Sequence, residues 1–255
     1  MSAPLVVVVS PHLDDAVMSV GAWIHRLTRN GVRVRVLTVL AGDPDSTLPS
    51  GRWDRRSGSA TAGEAARRRR DEDRAACLVV GAEPAWLSYA DRQYPRGGSD
   101  ANVVGAIAPH LEHADATVWP GFPLRHPDHR WLVTLALNHG LVSDRESGFY
   151  VEQPYVVLRR RYQVWRRPLE PGVPAGFAPE PFDAAPWRVQ PAEALDWEAK
   201  WRACECYASQ LPLLRARLPS VFRRVRRYEG RRGGETIGWW KRVPQRLADL
   251  SPGVT

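Results

Sequence analysis

The apolar positions of this chain fall into short unbroken runs separated by stretches of helical spacing. The first run is Val6-Val7-Val8-Val9. Four valines without alternation predict a strand buried on both faces, as a parallel sheet requires. The run ends at Ser10-Pro11, because proline removes a ladder donor and biases the residue before it toward extended geometry. From Ala16, apolar residues recur at helical spacing (Val17, Val20, Ile24, Leu27) up to the stop signal Asn30-Gly31. A second strand is predicted over 32–40, where Val32, Val34 and Val36 alternate with Arg33 and Arg35 before Leu37-Thr38-Val39-Leu40. Strand, helix and strand make a βαβ unit, expected to be right-handed.

The alternation continues. Residues 41–61 read as a long polar loop carrying Trp53 and Asp54, either a lid or a plain surface segment. Beyond it the pattern predicts a helix over 63–81, a short strand over 85–88 and a helix over 100–113. A fourth strand over 116–119, a helix over 130–141 and a strand over 148–158 follow. The proline-rich stretch 168–186 reads as an irregular excursion, and one helix is expected from Ala192 to Leu214. The expected class is α/β on a mostly parallel sheet. Its core spans 1–160, and 161–255 form a C-terminal extension that completes the same domain; 255 residues suffice for a sizeable core.

Composition narrows the class. No apolar run approaches the roughly 18 residues of a membrane span. The start Met1-Ser2-Ala3-Pro4 shows neither a basic region nor a cleavage site, so a cytoplasmic protein is expected. Three widely split cysteines, Cys77, Cys204 and Cys206, do not make a disulfide framework or a zinc knuckle. The net charge is +8, and of 36 basic residues only Lys200 and Lys241 are lysines. The arginine-rich end (Arg223-Arg224, Arg226-Arg227, Arg231-Arg232) is open to three readings: a solvated surface, a rim for substrate or a second subunit of a homo-oligomer, and a nucleic-acid contact. No helix-turn-helix, zinc finger or RNP motif surrounds it.

Chemistry concentrates just past two predicted strand ends. Pro11-His12-Leu13-Asp14-Asp15 follows the first strand, and His126-Pro127-Asp128-His129 follows the fourth. Open α/β sheets bind ligands outside the carboxyl ends of their strands. If both loops meet, two imidazoles and a carboxylate suit a catalytic zinc with one place left for water, although such donors also accept other divalent cations. A free carboxylate can then act as base, and a further histidine can steady an oxyanion. The same residues also have structural readings. Asp14 or Asp15 can cap the first helix, Asp128 can cap the later one, and both histidines can pack beneath a loop. The pair His110 and His113, near a helix end, lacks an accompanying acidic turn.

These two motifs resemble the zinc-dependent N-acetylglucosaminyl-phosphatidylinositol deacetylase-like (PIG-L / LmbE-like) family over roughly residues 5–160. The resemblance implies a Rossmann-like three-layer sandwich and zinc held by His12, Asp15 and His129. It assigns Asp14 as general base, and His126 as the group that stabilises the oxyanion and assists the leaving amine, oriented by Asp128. The family's Arg-x-x-Glu helix motif matches Arg69 and Glu72, and its substrate-contacting aspartate matches Asp91. Leu13, Ala16 and Leu124 stand where many or some members carry proline, glutamate and tyrosine. The implied activity is removal of an N-acyl group, expected to be acetyl, from an amino sugar or glycoconjugate. A zinc amidase cleaving a larger amide in a thiol-sugar conjugate or natural product is the alternative. A basic nucleic-acid-binding module without catalysis is the alternative from another class.

Overall fold

The structure is a computed structural model and describes residues 3–142, 146–157, 187–217 and 220–239. Strand β1 (Leu5–Ser10) leads into α1 (Asp15–Arg29) and β2 (Arg33–Thr38). Then come α2 (Arg52–Arg56), α3 (Ala62–Val79), β3 (Glu83–Trp86), α4 (Asp100–Leu111) and β4 (Ala116–Phe122). They are followed by α5 (Pro127–Asn138), β5 (Glu146–Val151), a 3-10 turn (Tyr155–Val157) and β6 (Trp187–Pro191). The described C-terminal part holds α6 (Ala194–Glu205), α7 (Leu211–Arg217), α8 (Val221–Gly230) and β7 (Gly234–Trp239).

All seven strands form one sheet in the order β3-β2-β1-β4-β5-β7-β6. The first five are parallel; β7 runs antiparallel to β5, and β6 to β7. The valine run does what a two-sided strand must. Val6 and Val8 pack with Trp23, Ile24 and Cys77 of α1 and α3. Val7 and Val9 pack on the other face with Ile107 of α4 and Leu132 of α5. The result is a three-layer α/β sandwich. Because β2 and β4 flank β1 on opposite sides, the chain reverses its winding there, and a crevice opens at the carboxyl ends of β1 and β4. Pairing of β4 with β5 slips between Pro120 and Phe122, which re-aims the strand end that carries the second motif. Gly121 is required at that slip, since a Cβ there would meet Phe149 Cβ at 2.7 Å.

Three boundaries differ from the sequence pattern. The segment 41–61 is not all loop, because α2 interrupts it. The expected helix from Ala192 to Leu214 divides into α6 and α7, as Pro212 cannot supply the N–H that a continuous helix needs. Strand β5 stops at Val151, and the chain turns at Glu152 rather than extending to Leu158, which lies outside the described residues along with the 168–186 excursion. Among the described residues no helix is long and apolar enough to cross a membrane. In α8 the residues between the arginines face inward: Val221 and Val225 are buried while Arg223, Arg224 and Arg227 are exposed, the pattern of an amphipathic helix on a core.

Helix α1 is broken at Val20 (φ −135°, ψ 25°). Glu235 of β7 accepts from the amides of Ala22 and Trp23 at 3.3 and 2.7 Å, just past the break. The same carboxylate binds Lys200 Nζ at 2.6 Å, and Lys200 also reaches Glu229 at 2.7 Å. Burial pushes the Glu229 carboxyl up to about 8, against the pull of Lys200. This fully buried cluster ties α6, α8 and β7 to the helix whose first turn carries the first motif.

Candidate active site

The first motif is folded by Ser10. Its hydroxyl donates to the His12 carbonyl at 2.6 Å and accepts from Ala16 N–H at 3.1 Å, closing the turn between β1 and α1. Asp14 occupies the N-cap position with φ 150°, yet its side chain makes no capping hydrogen bond. A non-glycine residue in that region costs energy, and such strain tends to persist where the surroundings over-determine it. The capping reading of Asp14 therefore fails, and its carboxylate lines the crevice instead. In the second motif His126 stands at the N-cap of α5, and His129 is completely buried one turn on.

The two loops meet. His12 Nδ1, Asp15 Oδ2 and His129 Nε2 lie 3.0, 3.0 and 3.2 Å from one another. Tetrahedral ligands about 2.0 Å from a zinc ion stand about 3.3 Å apart, close to this spacing. Each imidazole turns its other nitrogen to its own carboxylate: His12 Nε2 to Asp128 at 3.2 Å, His129 Nδ1 to Glu152 at 3.0 Å. Metal-bound histidines are held in this way, with the outer hydrogen bond fixing tautomer and ring orientation. One nitrogen from each of His12, His126 and His129 also falls within 4.8 Å, so these three can hold a metal ion, and the donor chemistry fits a divalent cation. His110 and His113 do not join these three, Cys204 and Cys206 are free thiols, and burial pushes Cys204 up to about 12.

Charge is unusually concentrated here. Burial pulls the His12 imidazole down, but hydrogen bonds to Asp128 and Asp15 outweigh it and carry it up to about 9. Burial opposes protonation of His129 as well, and Asp15 and Glu152 raise it to about 10. Asp15 is held well below the usual carboxylate range by His129 and His12, despite its burial. Asp14 moves the other way: burial and then the Asp15 charge push it up to about 7, against the pull of Arg69. His126 is lowered to about 4 by burial and by the neighbouring imidazoles of His12 and His129.

A cavity of about 660 Å³ opens in front of this cluster. It is lined by His12, Asp14, Asp15, His126, Arg69 and Asp91, while Asp128 and His129 lie buried behind them. Arg69 is held between carboxylates, with Asp54 at 3.9 Å and Asp14 acting on it most strongly by charge. Glu72, its partner in the helix motif, does not reach the cavity; it accepts from the amide and hydroxyl of Ser209, both at 2.7 Å. Asp128 reaches His126 through its backbone, its N–H donating to His126 Nδ1 at 3.4 Å, and turns its carboxylate elsewhere. It receives Arg96 Nη2 at 2.7 Å and the Arg92 amide at 3.2 Å and bonds His12, while His126 Nδ1 stays 3.7 Å away. Trp53 does line the cavity, and its indole N–H donates to Gln210 at 2.6 Å.

The sequence pattern missed Glu152 and Arg96. Glu152 follows the carboxyl end of β5, where the rule that singled out His12 and His126 applies equally, but a strand drawn through 158 hid it. Arg96 has no such signal; its guanidinium lies 3.7 Å over the Trp131 ring while it holds Asp128.

Comparison with known proteins completes the picture. No curated protein matches this chain in sequence. A solved deacetylase variant from the teicoplanin biosynthetic pathway shares 25% identity, with 93% of this chain and 97% of that one covered and a TM-score of 0.73. The N,N'-diacetylchitobiose deacetylase of Pyrococcus horikoshii shares 19% identity over 98% and 87% of the two chains, at a TM-score of 0.61. The 4-carboxy-2-hydroxymuconate hydratase of Pseudomonas putida shares 16% over 94% and 98%, at 0.56, so this fold carries more than one chemistry. In sequence, residues 7–139 match the GlcNAc-PI de-N-acetylase (PIG-L) model, and that span contains both motifs and the Arg69 helix. The chain belongs to the GlcNAc-PI de-N-acetylase family.

Proposed function

We propose that this protein is a zinc-dependent N-deacetylase that hydrolyses the N-acetyl group of an amino sugar or its conjugate. The observation that carries the reading is the triangle of His12 Nδ1, Asp15 Oδ2 and His129 Nε2, each imidazole braced by its own carboxylate, beside an unbonded Asp14. His12, Asp15 and His129 would hold the cation. Bound there, it would lower the pKa of a water and polarise the amide carbonyl as a Lewis acid.

The chain's own residues supply the proton chemistry. Asp14, raised to about 7, is matched to take a proton from water near neutral pH and to hand it on to the departing amine. His126, lowered to about 4, is a neutral imidazole at that pH. Its N–H can donate to the oxyanion that forms as water adds to the carbonyl carbon. Asp128 braces His12 and, through Arg96, the loop that carries Asp91.

The cavity favours one variation. Met18, Pro154, Leu214 and Val221 give it an apolar side, which suits a larger acyl or aglycone part than acetyl and sugar alone. Mass spectrometry of the products separates the two, since acetate and a free amine are expected from the first and a larger acid from the second. The test of the reading itself pairs turnover with metal content. Zinc-loaded protein is expected to release amine from an N-acetylated amino sugar, and Asp14→Asn to keep its zinc while losing most turnover. Near-normal turnover in that variant would remove Asp14 as base.

A further inference from the structure

The cavity is acidic at its floor and basic at its mouth. Asp14 and Asp15 sit beside the histidines, and Asp91 is occupied by the Gln93 amide and side chain at 2.8 and 2.9 Å. Arg52, Arg56 and Arg92 also line the cavity and are exposed. Among the described residues none of their guanidinium groups has an ion-pair or hydrogen-bond partner, in contrast to Arg69, which faces several carboxylates. Arg52 and Arg56 stand four apart on α2 and share a face, while Arg55 turns away to the Ser50 carbonyl at 2.9 Å.

Their mount is fixed. The Gly51 amide donates to Tyr94 Oη at 2.8 Å, the Trp53 amide to Gln93 Oε1 at 2.7 Å, and the Trp53 indole to Gln210. The Arg92 amide donates to Asp128, which seats its backbone against the centre and leaves its side chain at the mouth. Guanidinium groups form planar forks suited to carboxylate and phosphate, and a site with preset donors loses little entropy on binding. Enclosing three unpaired cations around a neutral sugar strips their water with nothing in exchange. An anionic group among them supplies the partner that each lacks.

We infer that the substrate carries an anionic group, phosphate or carboxylate, remote from the scissile amide and gripped by Arg52, Arg56 and Arg92. The identity of the remaining part of the substrate rests on the deacetylase reading above. The test uses three probes: neutral N-acetylglucosamine, N-acetylglucosamine 6-phosphate and N-acetylmuramic acid. Binding is measured by calorimetry on zinc-loaded Asp14→Asn protein at low salt, and amine release is measured on the native protein. One anionic probe is expected to bind at least about tenfold tighter than the neutral sugar, a preference that weakens as salt screens the charges. The better of the two anions identifies the group. The preference is expected to fall below about threefold in Arg52→Gln/Arg56→Gln/Arg92→Gln. Should that triple variant not fold, each single substitution is expected to lower the preference severalfold. Arg223→Gln removes the same charge from α8 and is expected to leave the preference intact. Equal affinity for neutral and anionic probes, no binding of either anion, or a preference that survives the arginine substitutions would overturn the inference. Anion-selective binding without amine release from any probe keeps the inference and sinks the deacetylase reading; amine release with equal kcat/KM for all three does the reverse.

Discussion

Helix α1 carries a buried charged cluster at each of two places, and they are built on opposite principles. At its break, Lys200 sits between Glu229 and Glu235, and Glu235 also takes up two amides near the break. Burial pushes Glu229 up to about 8 and Glu235 in the same direction against the pull of Lys200, which moves the cluster toward one ammonium facing one carboxylate. At the start of α1, by contrast, His12, Asp15 and His129 turn atoms with lone pairs toward one another. Only added positive charge reconciles them, from protons or from a cation. A buried cluster that balances internally is scaffold; one whose acceptors converge is poised for a ligand.

The largest effect is expected at the second cluster. Asp14→Asn should lower kcat by about 10²–10⁴-fold while zinc content by elemental analysis stays near that of the native protein. His129→Ala removes a ligand and should abolish stoichiometric zinc; full metal occupancy there would take His129 out of the set. Next comes the scaffold. Lys200→Met leaves Glu235 buried without its cation and should cost about 3–5 kcal/mol, read as a drop in the denaturation midpoint. Such a loss with the metal site intact would confirm that the two clusters do separate jobs. Glu152→Gln, which weakens the brace on His129, should reduce zinc affinity by about 10–100-fold in competition with a chelator.

The smallest effect concerns pH. Glu229 has its folded value raised from 4.5 to about 8, so the native state holds the proton more tightly than the unfolded chain. Its contribution to stability is full below about 4.5 and is lost as pH rises through about 8. Glu229→Gln is fixed in the neutral form. The stability of the native protein relative to this variant should therefore fall across that window, as seen in paired thermal melts. A difference that does not change with pH would mean that Glu229 is not protonated in the folded protein.

What could be read from the sequence follows from where the physics is local. The valine run, the proline that ends it and the helical spacing after Ala16 are short-range signals, and β1 and α1 form where they predict. The motifs Pro11–Asp15 and His126–His129 stand out because each gathers imidazole and carboxylate just past the end of a buried strand, where open α/β sheets bind ligands. The roles within each motif came from resemblance, since spacing does not separate Asp14 from Asp15; in the structure Asp14 has φ 150° and lines the cavity. Other features are set by distant parts of the chain. Lys200 carries no local signal of burial, and its buried partners Glu229 and Glu235 lie 29 and 35 residues on in the chain. Arg52 and Arg56 sit in a segment without periodicity, and their direction is fixed by Gln93, Tyr94 and Gln210.

In the proposed deacetylase, two loops, 116 residues apart at His12 and Asp128, enclose one cation through His12, Asp15 and His129. A crystal structure of the zinc-loaded protein, with anomalous data collected on both sides of the zinc edge, would locate that cation. A single anomalous peak is expected about 2.0–2.2 Å from His12 Nδ1, Asp15 Oδ2 and His129 Nε2, with Asp14 unbound beside it. A peak ligated by His126 in place of Asp15, or none between the two loops, would contradict it.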